Sequence, residues 1–429
     1  MIQELKIRNF LSFRDEVTFS FEATKDTSFE DYQVVEVASK VRLLRFAIIF
    51  GSNASGKSNV LKTFDFFKEF WFESHDSVDE PTGVIPFLLD KVTPQQQAHF
   101  ELKFWVDGVK YWYILTINRK YIECETLYYY KSVQPTKLFE RIYENGQSEI
   151  KINTNVVKIS DLALQELNLK CLPNTSFFAA RNKVNISLPL IDAARNWMRN
   201  KILPYIGPQT ALFEYAGKRI FDSAELKGYL LDFIHKADFN ISELISDTIE
   251  EKVPTQIAKI LLEDETNVPT DLKEHLRNNG TMLRLKTQFQ HSVKNSRGVE
   301  TYLLPNSLQS EGTKRTIGIE AAIFETMQQN AFLSIDEIES SLHPNLVEYV
   351  IEQFLKNHNE SQLLVTTHYD PLLNTVDDLI RKDSVWFTEK DESGNTSLYS
   401  LVDFRGLNKL SSYQKSYRNG QFGALPNIR

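Results

Sequence analysis

The sequence predicts an α/β fold: a mixed sheet around a glycine-rich loop, an antiparallel β layer, and an inserted helical subdomain. Three observations carry this. Gly51-Ser52-Asn53-Ala54-Ser55-Gly56-Lys57-Ser58 fits the pattern G-x-x-x-x-G-K-[ST] at every fixed position. Two apolar runs, Ala331-Phe332-Leu333-Ser334-Ile335 and Gln362-Leu363-Leu364-Val365-Thr366-Thr367, read as buried parallel strands and end in Asp336-Glu337 and His368. Residues 99–143 alternate apolar and polar groups as an antiparallel meander does.

In chain order, residues 2–21 read as a strand pair around the polar turn Arg14-Asp15-Glu16, with residues 24–40 a loop. Phe46-Ala47-Ile48-Ile49-Phe50 is a short buried strand, and residues 59–67 place apolar groups at helical spacing. The glycine-rich loop therefore lies between a strand and a helix start. Residues 74–98 are turn-rich, with Pro81, Gly83, Pro86 and Pro94. Asp107-Gly108 between two alternating runs predicts a hairpin, and residues 121–130 and 137–143 continue the meander. The aromatic stripe Tyr111, Trp112, Tyr113, Tyr128, Tyr129, Tyr130 fits sheet core and surface better than a base-stacking platform. Residues 186–203, 223–236, 241–251 and 254–264 carry helical spacing, which predicts a mostly helical insert over 155–280 between lobes 1–154 and 281–429. Residues 281–289 return to strand alternation. Arg284 and His291 match a loose ribonuclease spacing, but they fall on that strand and are set aside.

Composition narrows the classes. With 429 residues and 42% hydrophobic content the chain can form two or three units. A net charge of −8 argues against coating nucleic acid by bulk charge, while leaving room for a local basic patch. Cys124 and Cys171 supply neither a disulfide framework nor metal-ligand spacing, which points to a reducing compartment. The start lacks a signal-peptide pattern and no run approaches a membrane span, so the expectation is a cytoplasmic protein without membrane association.

The chemistry concentrates in the fixed positions of the loop, in residues 307–345 and in His368. Loop N–H groups and a helix N-terminus can cradle phosphate oxygens. Lys57 would reach the β- and γ-phosphates of ATP, and the Ser58 hydroxyl would hold Mg²⁺. Asp336 would bind Mg²⁺ through water and Glu337 would polarise an attacking water, the two needs of phosphoryl transfer to water. Ser310 and Gly312, before an apolar helix at 316–327, offer a second anion-binding surface. His368, ending the strand after the Asp-Glu strand, is placed to sense a γ-phosphate.

In this order the motifs resemble the ABC-type ATPase head of the SMC, RecF and OLD proteins. Ile7-Arg8-Asn9-Phe10-Leu11-Ser12-Phe13 and the loop Gly51, Ser52, Asn53, Ala54, Ser55, Gly56, Lys57, Ser58, Asn59 are similar to that group in detail. Three features resemble more narrowly the stand-alone ATPases of bacterial phage-defence islands (RloA-, AbiL- and AriA-like). They are Ser310-Glu311-Gly312-Thr313-Lys314-Arg315, Asp336-Glu337-Ile338-Glu339-Ser340-Ser341-Leu342-His343-Pro344, and the tail Tyr417-Arg418-Asn419-Gly420-Gln421-Phe422-Gly423-Ala424-Leu425-Pro426. The resemblance covers about 1–150 and 280–429.

It implies a head-to-head homodimer, with assembly beyond the dimer left open. ATP would lie between the loop of one subunit and Ser310, Gly312 and Thr313 of the other. Glu311 stands where many transporters carry glycine. The loop glutamine of such heads has only Gln95, Gln96 and Gln97 as candidates. The implied function is a Mg-ATP dimerisation switch controlling a partner effector, a nuclease or toxin, in anti-phage defence, with the insert positioned to contact that partner. The alternatives are an OLD-type nuclease and a RecF- or SMC-like DNA clamp. The residues after His368 are too few for the Toprim fold of the first. Lys and Arg are dispersed, with clusters only at 42–45 and 181–183, which disfavours the second.

Overall fold

The computed structural model describes residues 1–237, 240–263 and 270–425. Asp264 and Pro426, the ends of the expected 254–264 helix and of the tail motif, lie outside them. The strands in chain order are β1 (Ile2–Arg8), β2 (Val17–Ser20), β3 (Val34–Ala38), β4 (Val41–Leu44), β5 (Phe46–Phe50), β6 (Ala98–Val106), β7 (Val109–Ile117), β8 (Ile122–Tyr130), β9 (Pro135–Glu144), β10 (Gln147–Ile152), β11 (Ile241–Lys252), β12 (Thr281–Asn295), β13 (Gly298–Pro305), β14 (Phe332–Ile335), β15 (Gln362–Thr367), β16 (Val385–Lys390) and β17 (Thr396–Ser400). The chain forms two compact units: Met1–Pro208 with Thr326–Ser340 and Val350–Arg429, and Gln209–Glu325 with Ser341–Tyr349.

The first unit holds two large sheets. One is antiparallel, in the order β10-β9-β8-β7-β6-β1-β2. The other runs β14-β15-β5-β16-β17, parallel except for β17. β5, β14 and β15 are buried along their whole length, as their unbroken apolar runs require. Bridges from Ile202 to Phe332 and from Ile206 to Ile335 lay residues 202–206 parallel beside β14.

The helix Lys57–Phe70 shares its aromatic face between the sheets. Phe64 lies 4.6 Å from Phe332, and Phe67 lies 5.5 Å from Phe100 and 5.9 Å from Tyr113. Each such buried ring contributes about 1.5–3 kcal/mol by removal from water. That packing fixes where the helix begins, and so where the glycine-rich loop sits.

The hairpin at Asp107-Gly108 forms, with both residues at positive φ (47° and 77°) as a type I′ turn needs. Asn145-Gly146 (52° and 81°) makes the same turn and adds β10, a strand beyond the expected meander. Tyr111 and Tyr113 enter the core, and Trp112 stacks on Tyr128 at 5.3 Å on the other face.

The boundaries differ from those read at 154/155 and 280/281. Helices Asp161–Lys170, Phe177–Arg181 and Pro189–Lys201 belong to the first unit. The latter two are held by aromatic contacts to the antiparallel sheet: Phe177 stacks on Phe139 at 3.8 Å and Trp197 on Phe104 at 4.2 Å.

The second unit combines helices Leu212–Asp222, Ala224–Lys236, Thr255–Glu263 and Thr270–Asn279 with the sheet β11-β12-β13. Residues 241–251, expected to be helical, form β11. A register shift between Ile241 and Glu243 accounts for the misleading pattern. The bulge lets Ile241 and Leu244, three apart, both turn inward, which imitates helical spacing. No helix among the described residues is long and apolar enough to cross a membrane.

Candidate active site

The loop after β5 is built by close backbone approach. A Cβ on Gly51 would stand 2.6 Å from both Ser55 Oγ and Thr388 Oγ1. Gly56 has φ +105°, and a Cβ there would meet Ser12 Oγ at 2.7 Å. Only glycine satisfies both positions. Three residues outside the loop brace it. Thr388 Oγ1 lies 2.7 Å from Ser55 Oγ, Thr396 Oγ1 lies 2.8 Å from the Ser55 carbonyl, and Asn59 Nδ2 donates to Ser12 Oγ at 2.7 Å. Thr388 and Thr396 carry no sequence signal. They become visible only when β16 and β17 are placed on the far side of β5.

Lys57 is 5% exposed and donates to the carbonyls of Gly51 (2.9 Å) and Ser52 (3.0 Å). Among the described residues no carboxylate pairs with it. Burial pushes its pKa down, while the charges of Asp336, Glu337 and Glu339 push it up.

Asp336 follows β14 directly, with both carboxylate oxygens engaged. Thr366 donates to Oδ1 at 2.5 Å and Tyr205 donates to Oδ2 at 2.8 Å. Burial and the facing Asp336 carboxylate hold the Tyr205 phenol far above its usual pKa, so it remains a donor. The next residue, Glu337, adopts φ +47° and its N–H donates to Thr366 Oγ1 at 2.9 Å. A non-glycine residue in that region carries strain, here held by the turn in which Ser340 N–H donates to the Glu337 carbonyl at 2.7 Å.

His368 follows β15, with its side chain half exposed. Its backbone N–H and its Nδ1 both meet Glu339 Oε1 at 2.7 Å. The carboxylate accepts the Nδ1–H, so Nε2 also carries a proton only in the imidazolium form. The sequence signal for Glu339 is that it is the third acid in Asp336-Glu337-Ile338-Glu339.

Residues 51–59, Asp336, Glu337 and His368 thus belong to the first unit, whereas Ser310, Gly312 and Thr313 belong to the second. There, Ser310 caps the helix Glu311–Gln329: its Oγ accepts the Thr313 N–H at 3.1 Å and lies 2.8 Å from Thr313 Oγ1. A Cβ on Gly312 would stand 2.6 Å from the Ser341 carbonyl. Ser310, Gly312, Thr313, Ser341, His343 and Lys236 line part of a cleft of about 490 Å³. Gln96 and Gln97 use their carbonyls to accept from Asn9 Nδ2.

The residues fit a magnesium nucleotide. A buried ammonium with only carbonyl partners is a cation suited to an anion, and a serine hydroxyl with a carboxylate suits a hard divalent cation. Among the described residues no cluster of three or more His, Cys, Asp or Glu forms a separate metal site.

Residues 46–374 match the family model described as "AAA domain, putative AbiEii toxin, Type IV TA system". No curated protein matches the chain. Among solved structures, the chain is similar to the SMC head domain from Thermotoga maritima, with 13% identity, a TM-score of 0.39, and coverage of 93% of this chain and 98% of that one. It is also similar to an SmcHead bound to the C-winged helix domain of ScpA, with 15% identity, a TM-score of 0.39, and coverage of 97% and 99%.

Proposed function

The chain belongs to the family described as AAA domain, putative AbiEii toxin, Type IV TA system, and from that membership we propose a Mg-ATP-driven dimerisation switch that controls a partner effector, a nuclease or toxin, in bacterial anti-phage defence. The observation that carries the nucleotide part is Lys57, buried and, among the described residues, bonded to the carbonyls of its own loop. An arriving phosphate chain offers it anionic oxygens in their place. Ser58 and Asp336 would hold Mg²⁺, which neutralises phosphate charge when bound. Glu337 orients the attacking water, and His368, with Nδ1 tied to Glu339, donates from Nε2 to the γ-phosphate as an imidazolium. Ser310, Gly312 and Thr313 serve the nucleotide of a second subunit.

The test pairs two variants. Lys57→Ala should abolish ATP binding. Glu337→Gln should keep binding, lose about 10²–10⁴-fold in turnover, and accumulate as an ATP-dependent dimer by light scattering. A monomeric Glu337→Gln protein in saturating ATP would rule out the dimer switch. Affinity capture of the same variant from its host should then retain an effector that Lys57→Ala releases. Recovery of DNA alone would favour the clamp.

A further inference from the structure

The tail motif at residues 417–424 has no part in the chemistry above, yet it reaches the phosphate loop. The Ala424 carbonyl accepts the Ser52 N–H at 3.1 Å and the Tyr417 hydroxyl at 2.9 Å. Ala424 is 1% exposed and sits at φ +58°. The residue before it must be glycine: Gly423 has φ +63°, and a Cβ there would stand 2.7 Å from Tyr399 Oη and 2.8 Å from Glu389 Oε2. Phe422 stacks on Phe387 at 5.6 Å, Tyr417 stacks on the same ring at 5.7 Å, and Tyr399 Oη donates to the Phe422 carbonyl at 2.9 Å. Phe387 in turn is the register partner of Phe50, the last residue of β5.

We propose that residues 417–424 are a positioning strap for the nucleotide site, holding Ser52 so that the loop is shaped before nucleotide arrives. Ser52 is gripped from two sides. Its N–H is taken by the strap and its carbonyl accepts Lys57 Nζ at 3.0 Å. The strap therefore acts on Lys57 through one residue. Its direct contact in the loop is the Ser52 N–H, away from Glu337 and Asp336, so its contribution is to nucleotide binding. Preorganisation of this kind lowers the ordering penalty of a ligand without stabilising the transition state separately.

This inference rests on the nucleotide reading, and the test separates the two. Gly423→Val in the full chain displaces the strap. Titration with fluorescent ATP and ADP analogues in Mg²⁺ should give a Kd raised roughly tenfold for both, with the loss in Kd rather than kcat. Amide exchange of residues 51–57 without nucleotide should quicken. Tyr417→Phe removes one of the two donors to Ala424 and should quicken the same exchange to a smaller extent. A folded Gly423→Val protein with unchanged Kd overturns the strap. If that variant does not fold, unchanged exchange in Tyr417→Phe overturns it. If the wild type binds no nucleotide, the nucleotide reading fails, and the exchange result alone decides whether the strap orders the loop.

Discussion

The Tyr205 hydroxyl donates to Asp336 Oδ2 at 2.8 Å, from a segment that lies parallel beside β14. In the proposed role of Asp336 as a Mg²⁺-holding carboxylate, the group behind it sets its orientation. Tyr205→Phe should therefore raise the Mg²⁺ concentration for half-maximal nucleotide binding by roughly tenfold, while metal-free nucleotide binding stays put. Titration of nucleotide binding against Mg²⁺ checks this. An unchanged midpoint would reduce Tyr205 to a packing residue.

Glu339 holds His368 by two bonds to one oxygen. Glu339→Ala frees the ring, and turnover should fall about 10- to 100-fold with nucleotide affinity little changed. Glu339→Gln keeps an acceptor oxygen and should recover part of the loss. Phosphate-release kinetics beside equilibrium binding separate the two effects; a loss confined to affinity contradicts the assigned role.

Glu320 lies fully buried in the helix Glu311–Gln329, its Oε2 accepting from the Tyr229 hydroxyl at 2.7 Å, and burial pushes its pKa up to about 8 from 4.5. The folded state therefore binds a proton that the unfolded state has released between about pH 4.5 and 8. Stability falls as pH rises through that window. Glu125, buried and raised to about 7, contributes with the same sign in the first unit. Thermal melting from pH 5 to pH 8 should show a declining wild-type Tm and a flatter Glu320→Gln profile. Parallel profiles would mean that Glu320 is ionised in the fold.

Much of this was legible in the sequence because the loop chemistry is local. The spacing of Gly51, Gly56, Lys57 and Ser58 fixes a strand–loop–helix unit, and the strands ending in Asp336 and His368 announce themselves by unbroken apolar runs. What stayed hidden is set by tertiary placement. Thr388, Thr396 and Tyr205 matter through the sheet positions beside them, which nothing in their own neighbourhoods encodes. β11 carries the spacing of a helix in sequence because a bulge turns Ile241 and Leu244 to the same side.

The central parallel sheet is assembled out of chain order. β5 pairs with β15 on one side and β16 on the other, so Phe46 meets Leu363 and Ile48 meets Val385. During synthesis the apolar strand carrying the phosphate loop leaves the ribosome long before either neighbour exists. For that interval Phe46-Ala47-Ile48-Ile49-Phe50 is an unpaired β-prone segment, the kind that invites association between nascent chains. Pairing at such sequence separation also closes slowly. Shielding of the emerging chain by chaperones during translation is therefore expected to raise its yield.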